Sequence, residues 1–241
     1  MNTDDLLHIG IVSAGRPGAV PPMVNHLDGL RHTWYVPVGE GGNYRYAGAR
    51  EVVEVEGNLS DQRNAVLETA FADGRAAVEL NDDLVNIRWT DDGKTQEMIG
   101  LPAALVRLHR ELEASGFRFG GSATTTNLYF YREPIGRRHF IMAHMMMMFP
   151  GPERFDPAMR LKEDYDYTLQ HLSAYGGVCR VNGLLANFRH YEKRGGCGPY
   201  RTPEEEERHV VYLLEKWPDA IRRNPRRDHE VLIKWPPKVP A

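Results

Sequence analysis

Asn58-Leu59-Ser60-Asp61-Gln62-Arg63-Asn64 opens a helix-like run that continues to Ala72, and Ala76 to Leu80 follows as an apolar strand closing on Asn81-Asp82-Asp83. Asn58 and Ser60 are both candidate N-caps, so a capped helix feeds a buried strand, which is half of an α/β unit. Upstream, Leu6 to Val12 (LLHIGIV) reads as a buried strand ending in the small-residue loop Ser13-Ala14-Gly15-Arg16-Pro17-Gly18. Val20 to Leu30 predicts a short helix, His32 to Val38 a second strand, Gly39 to Tyr44 a flexible loop and Ala49 to Val55 a third strand. Strands alternating with helices over the first hundred or so residues predict a parallel sheet, and ligands of open α/β sheets gather at the carboxyl ends of such strands.

Downstream, Leu101, Leu105, Leu108 and Leu112 set an amphipathic helix over Leu101 to Ser115. Gly120 to Thr126 reads as an exposed loop. Leu128 to Arg132 and Phe140 to Phe149 read as strands joined by the basic turn Glu133 to Arg138, as a hairpin or a mixed extension of the sheet. Tyr165 to Tyr175 predicts a helix and Val178 to Val181 a strand. Pro203 to Trp217 predicts a last helix, whose Pro-Glu-Glu-Glu-Glu opening suits the helix dipole. The expected fold class is α/β, a Rossmann-type mixed sheet flanked by helices in a single domain over 1–241. Within it, the alternating half spans 1–115, a changed pattern 116–205, and a helix with a basic tail 206–241.

A chain of 241 residues suits one such domain, because single cores stop growing near roughly 250–300 residues. The net charge of −3 excludes a generally basic nucleic-acid coat while leaving room for a local basic face. Cys179 and Cys197 offer neither a disulfide framework nor a zinc spacing, so a reducing cytoplasm is expected. The first residues lack a signal-peptide pattern and the longest apolar run is too short for a bilayer, so no membrane partner is expected.

Four pieces carry chemistry. Asn81-Asp82-Asp83 ends a buried strand, where carboxylates cost free energy unless a cation or strong donors offset it, and a divalent metal bridging a diphosphate would do so. Taken alone, such a pair caps a turn. Arg63-Asn64 falls at the start of the preceding helix and faces the same sheet edge; alone, it would be a solvated helix start. Lys162-Glu163-Asp164-Tyr165-Asp166-Tyr167 places acids at a helix opening, where dipole complementation is the plain alternative. His190, then Lys193-Arg194-Gly195-Gly196-Cys197-Gly198 and Arg201, form a loop able to close over phosphates, with His190 as a metal ligand. Met145 to Met148 reads as core strand, because Met fills irregular apolar gaps, and His144 beside it as a buried, satisfied histidine.

In this order and spacing the pieces, from Ile9 to about Arg201, resemble the inverting, family-2-like GT-A glycosyltransferases, which implies a GT-A-like sheet with a nucleotide-sugar half over 1–115 and an acceptor and catalytic half over 116–205. The resemblance implies that Ser13, Ala14, Gly15 and Arg16 hold a nucleotide, with Arg63 and Asn64 beneath it and Glu40, Tyr46, Asn81, Asp82 and Arg201 among the nucleotide-sugar contacts. The family's Asp-x-Asp element begins here with Asn81, a departure that leaves Asp83 to ligate Mn²⁺ or Mg²⁺, helped by His190. The Glu-Asp motif corresponds to Glu163-Asp164, whose Asp acts as general base toward the acceptor hydroxyl.

Tyr44 to Ala49 (YRYAGA), Asn58 to Leu67 (NLSDQRNAVL), Leu80 to Leu84 (LNDDL) and Glu163 to Leu169 (EDYDYTL) also resemble the phage TET-associated glycosyltransferases of hydroxymethylated DNA. That likeness implies a UDP-sugar donor, 5-hydroxymethylcytosine in DNA as acceptor and, for a phage-encoded chain, the host cell's cytoplasm as its place. Arg137 and Arg138, with Arg222, Arg223, Arg226 and Arg227, are the expected phosphate contacts, an ordinary solvated basic face being the alternative. A base flipped from the stack would find Tyr129, Tyr131 or Phe149 to stack on.

Overall fold

The computed structural model describes residues 3–189 and 195–234. The chain begins with α1 (Thr3–Leu6), β1 (Leu7–Val12), α2 (Val20–Leu27), β2 (Thr33–Pro37), α3 (Gly41–Tyr46), β3 (Val52–Val55), α4 (Leu59–Ala72) and β4 (Ala76–Asn81). It continues through β5 (Leu84–Trp89), β6 (Glu97–Ile99), α5 (Leu101–Ser115), β7 (Phe119–Ser122), β8 (Ile135–Gly136) and β9 (Met145–Met148). The remaining elements are α6 (Glu163–Tyr175), β10 (Cys179–Val181), β11 (Leu184–Phe188), α7 (Pro203–Lys216), β12 (Ile221–Arg223) and β13 (Val231–Ile233). The main sheet has the order β3-β2-β1-β4-β9-β7-β10-β8. β1 pairs in parallel with β2 and β4, β2 pairs in parallel with β3, and β9 runs antiparallel between β4 and β7. The expected Rossmann-type mixed sheet flanked by helices is thus present. Its switch from parallel to antiparallel pairing falls at β4–β9, beside the strand that ends in the acid pair.

Period-two alternation assigns each strand residue to a face. Leu7, Ile9 and Ile11 of β1, Val78 and Leu80 of β4, and Met145 and Met147 of β9 pack with α2 and α5. Val12, Ala77, Met146 and Met148 pack with α4, α6 and α7 on the other face. The methionine run therefore fills both layers at once, and all four side chains are fully buried. His144 is buried as expected, with its Nε2 3.0 Å from Ser122 Oγ and its ring stacked on Phe188.

Gly10 lets α4 lie against β1. A Cβ there would stand 2.5 Å from both methyl carbons of Val66. Gly10→Ala is expected to destabilise the protein by about 1–3 kcal/mol, the range for overpacking a filled core. Chemical denaturation checks it, and Gly10→Ala with Val66→Ala should recover part of the loss, because the second change removes the methyls that clash.

Several elements depart from expectation. Gly41–Tyr46 is a short helix and not a flexible loop. Phe119–Ser122 is a fully buried strand inside the sheet and not part of an exposed loop. Leu128–Phe130 is a 3-10 turn, and only Met145–Met148 of the second expected strand is extended, paired to β4 and β7 and not to its sequence neighbour. The tail beyond Asp219 carries the β12–β13 hairpin. β5, β6 and β11 form a second, three-stranded antiparallel sheet that leaves the first where β4 ends. Among the described residues, no helix is long and apolar enough to cross a membrane.

Candidate active site

The carboxyl ends of β1, β2 and β4 and the start of α6 meet at one edge of the sheet, around a cleft of about 790 Å³. Ser13, Arg16, Asn81, Glu163, Asp164 and Arg201 all line it. Sequence segments up to 188 residues apart (Ser13 to Arg201) thus converge where ligands of open α/β sheets bind.

Ser13 is the hub of the nucleotide side. Its Oγ lies 2.6 Å from Tyr44 Oη, and its hydroxyl donates to a carboxylate oxygen of Asp82. Tyr44 Oη also accepts from the Arg16 amide at 3.1 Å, while the Gly15 amide donates to Glu40 Oε2 at 2.6 Å. The helix missed at 41–46 is what delivers Tyr44 to this loop, and Glu40 is its N-cap residue. Tyr46, on the same helix, is 96% exposed and does not line the cleft.

Asp82 and Asp83 are the two turn residues between β4 and β5, so the plain expectation for an Asp pair is also met. Asp82 is buried, with Arg16 3.1 Å from its Oδ1 and 3.9 Å from Asp83 Oδ2. Burial pushes the Asp82 carboxyl up to about 6 against the opposing pull of Arg16 and Ser13. The segment after residue 194 crosses above, where the Gly196 amide donates to Ala14 O at 2.7 Å.

Arg63 sits deeper than expected. The helix is capped by Asn58, whose side chain accepts from the Ser60 amide while Asp61 accepts from the Asn58 amide. Arg63 therefore belongs to the second turn, with its side chain 2% exposed. Its guanidinium donates to Glu79 at 2.7 Å, to Glu163 at 3.1 Å and to Ala143 O at 3.1 Å. Burial pulls its pKa down, but Glu79 and Glu163 outweigh that and push it above the ordinary arginine value. Glu79 faces α4 from mid-strand, and its own burial pushes it up to about 7 in spite of Arg63. Asn64 points elsewhere: its amide group donates to Phe155 O and accepts from Phe155 N, both at 2.8 Å, which ties down the loop before α6.

Asp164 stands at the opening of α6, one position on from the Arg63-bound Glu163. Its carboxylate accepts from the Ala143 amide at 3.2 Å and from the Tyr165 amide at 3.0 Å. Desolvation, then the negative charge of Glu163, pushes its pKa up to about 7. Lys162, the residue before the helix, holds φ at 62°, a left-handed conformation that costs a non-glycine residue on the order of 1 kcal/mol and recurs at functional sites. Its ammonium pairs with Glu206 in the first turn of α7, and Arg201 reaches the same carboxylate at 3.2 Å. Lys162, Tyr44 and Glu206 were not anticipated as site residues. The local signals were the acidic first turn of α7 and the aromatic in GGNYRY, neither of which names a partner.

The expected basic residues divide. Arg137 and Arg138 are exposed beside β8, at the edge of the main sheet, and Arg222 is exposed on β12. Arg223 is held by Glu207 at 3.0 Å, and Arg227 pairs with Glu230 at 3.4 Å. Arg226 is exposed in the same hairpin, whose residues Asp228, His229 and Glu230 line the cleft. His190 lies outside the described residues. Among the described residues, no group of three or more His, Cys, Asp or Glu side chains is arranged to hold a metal ion.

No protein-family model matches the chain. No curated protein sequence matches it either. Among solved structures, mannose-1-phosphate geranyltransferase from Thermus thermophilus is similar over 87% of this chain, at 16% identity and a TM-score of 0.36. This chain spans 63% of that structure's length, and a likeness so distant bears on neither activity nor substrate.

Proposed function

We propose that this chain is a metal-dependent glycosyltransferase of the GT-A type, moving a sugar from a UDP-sugar to the hydroxyl of 5-hydroxymethylcytosine in DNA with inversion. The observation that carries the proposal is the convergence, in one cleft, of Ser13, Arg16 and Asn81 with Asp164, a carboxyl whose pKa is raised toward neutrality, the acid turn lying behind Arg16.

On the donor side, Arg16 and Arg201 present guanidinium groups suited to a diphosphate. The donor set of Asp82 and Asp83 fits Mg²⁺ or Mn²⁺, which take hard oxygen ligands and use only one or two protein carboxylates beside substrate phosphates. Oδ1 of Asp82 supports that fit, being a buried oxygen with the charge of Arg16 opposite it but no hydrogen bond. Asp83 and Asp82 would hold the ion, and when bound it would supply neutralising charge to the leaving diphosphate. Arg16 must leave the carboxylates to make room, which frees its guanidinium for phosphate.

On the acceptor side, Asp164 takes the proton of the attacking hydroxyl as the anomeric carbon gains oxocarbenium character. Glu163, fixed by Arg63, orients the start of α6 and keeps the neighbouring Asp164 basic. DNA as acceptor is supported by the sequence resemblance and by the exposed Arg226 beside the cleft-lining residues 228–230. Contact through several arginines should weaken steeply with salt, with a log-log slope near about −0.9 per phosphate neutralised.

Incubation with a panel of UDP-sugars and Mn²⁺, with and without hydroxymethylated DNA, followed by nucleoside mass spectrometry, tests this. The expected result is a mass gain on the modified base with one donor. Transfer that ignores DNA and salt would replace the acceptor, and no transfer from any nucleotide sugar would overturn the proposal.

A further inference from the structure

A second cavity, of about 520 Å³, opens at the opposite end of the parallel strands, where β1, β2 and β3 begin. Arg31, Arg45, Arg50 and Arg75 stand around it, with Glu51 as the acid in its wall. Arg31 lies 3.7 Å from Asp4 and Arg45 3.6 Å from Glu54, and both arginine side chains are more than half exposed. Such pairs hold weakly in water and can be exchanged for a stronger anion. Arg75 is paired with Asp73, and Arg50 has no ion pair among the described residues.

The floor is polar and built. His8 is buried, with its Nε2 2.8 Å from Tyr35 Oη, and Thr33 donates to Glu51 at 3.0 Å. His32 supplies the most specific feature. Its Nδ1 lies 2.9 Å from Leu30 O, and because a carbonyl only accepts, that nitrogen carries the proton. Its Nε2 is a buried atom without a hydrogen-bond partner among the described residues. With Nδ1 carrying the proton, Nε2 accepts, so it can take the hydroxyl hydrogen of a ligand, while the surrounding guanidinium forks match phosphate geometry. The volume falls in the range of small-ligand sites, about 300–1,000 Å³.

We propose that this cavity binds a small phosphorylated anion, a phosphomonoester or diphosphate no larger than a mononucleotide, at a site separate from the cleft and independent of what the cleft does. Isothermal titration with inorganic pyrophosphate tests it on the wild-type chain, on an Arg31→Ala/Arg50→Ala variant and on Arg16→Ala, which alters only the cleft. Saturable binding should weaken by at least about tenfold in the double variant, since hydrogen bonds to charged groups contribute on that order, and should persist in Arg16→Ala. The two substituted side chains reach solvent, so thermal melting should not move. Pyrophosphate binding that is absent, or that is lost only in Arg16→Ala, would overturn the proposal. So would binding confined to a DNA oligonucleotide, with none for the small anion.

Discussion

Asp164→Asn should lower kcat by about 10²–10⁴-fold, the usual contribution of a positioned general base, while leaving donor affinity unchanged. Asp164 accepts with its two oxygens separately, Oδ2 from the Ala143 amide and Oδ1 from the Tyr165 amide, so the Asn oxygen keeps one of these bonds and its NH2 forfeits the other. The pH dependence is signed. The base works ionised, so kcat/KM of the wild type should rise with pH through about 7 and level off above it. Stability runs the other way. A carboxyl raised above its unfolded value of about 4 contributes fully below that pH, and its contribution is lost as pH rises through its folded value near 7. Asp164→Asn removes that loss, so the difference in melting temperature between variant and wild type should shift in the variant's favour from pH 5 to pH 8. Unchanged turnover in a folded Asp164→Asn protein would remove the base from the mechanism. Continued nucleotide binding in that protein would then favour a module that holds nucleotides for other chemistry.

Arg63→Met should cost about 3–5 kcal/mol, the penalty for leaving buried charges without their partner. Glu79 is fully buried, and its Oε2 has Arg63 as its cation at 2.7 Å; Glu163 loses its partner in the same step. Glu79, already pushed up by burial, would respond by holding its proton more tightly. The unfolding penalty should therefore be smaller at pH 5 than at pH 8, because the neutral form needs no cation. Adding Glu79→Gln should recover part of the loss, and urea denaturation at the two pH values measures both effects. Activity should fall further than stability explains, because Glu163 adjoins the base. A loss under about 1 kcal/mol would mean that Arg63 is far better hydrated than its enclosure between α4, β4 and α6 indicates.

The contrast between Arg63 and the helix that carries it shows what a sequence can display. Leu59–Ala72, Leu101–Ser115 and Pro203–Lys216 were legible nearly residue by residue, because caps and apolar spacing are local properties. The partners of Arg63 lie 16 and 100 positions away, and nothing in the local pattern distinguishes a solvated arginine from one locked between two buried acids. Glycine misled in the same way. Gly120 and Gly121 read as loop, yet a Cβ at Gly121 would stand 2.9 Å from Met145 O and 2.6 Å from Ile141, so the sheet demands the residue type that local rules assign to turns. β5 and β11 pair with each other across a separation near one hundred residues, which sequence alternation in either does not announce. The site was legible where several types sat at one strand end, Ser13 to Arg16 and Asn81 to Asp83. It was not legible where a distant element completes it, as Tyr44 and Glu206 do.

The most direct test is a crystal structure of the protein grown with UDP and Mn²⁺. The expected map shows the diphosphate between the Ser13–Arg16 loop and Asp83, the ion on the carboxylates of the β4–β5 turn, and Arg16 turned from Asp82 toward phosphate. Nucleotide bound away from that turn, or a turn still held by Arg16 with no ion on it, would contradict the mechanism at its centre.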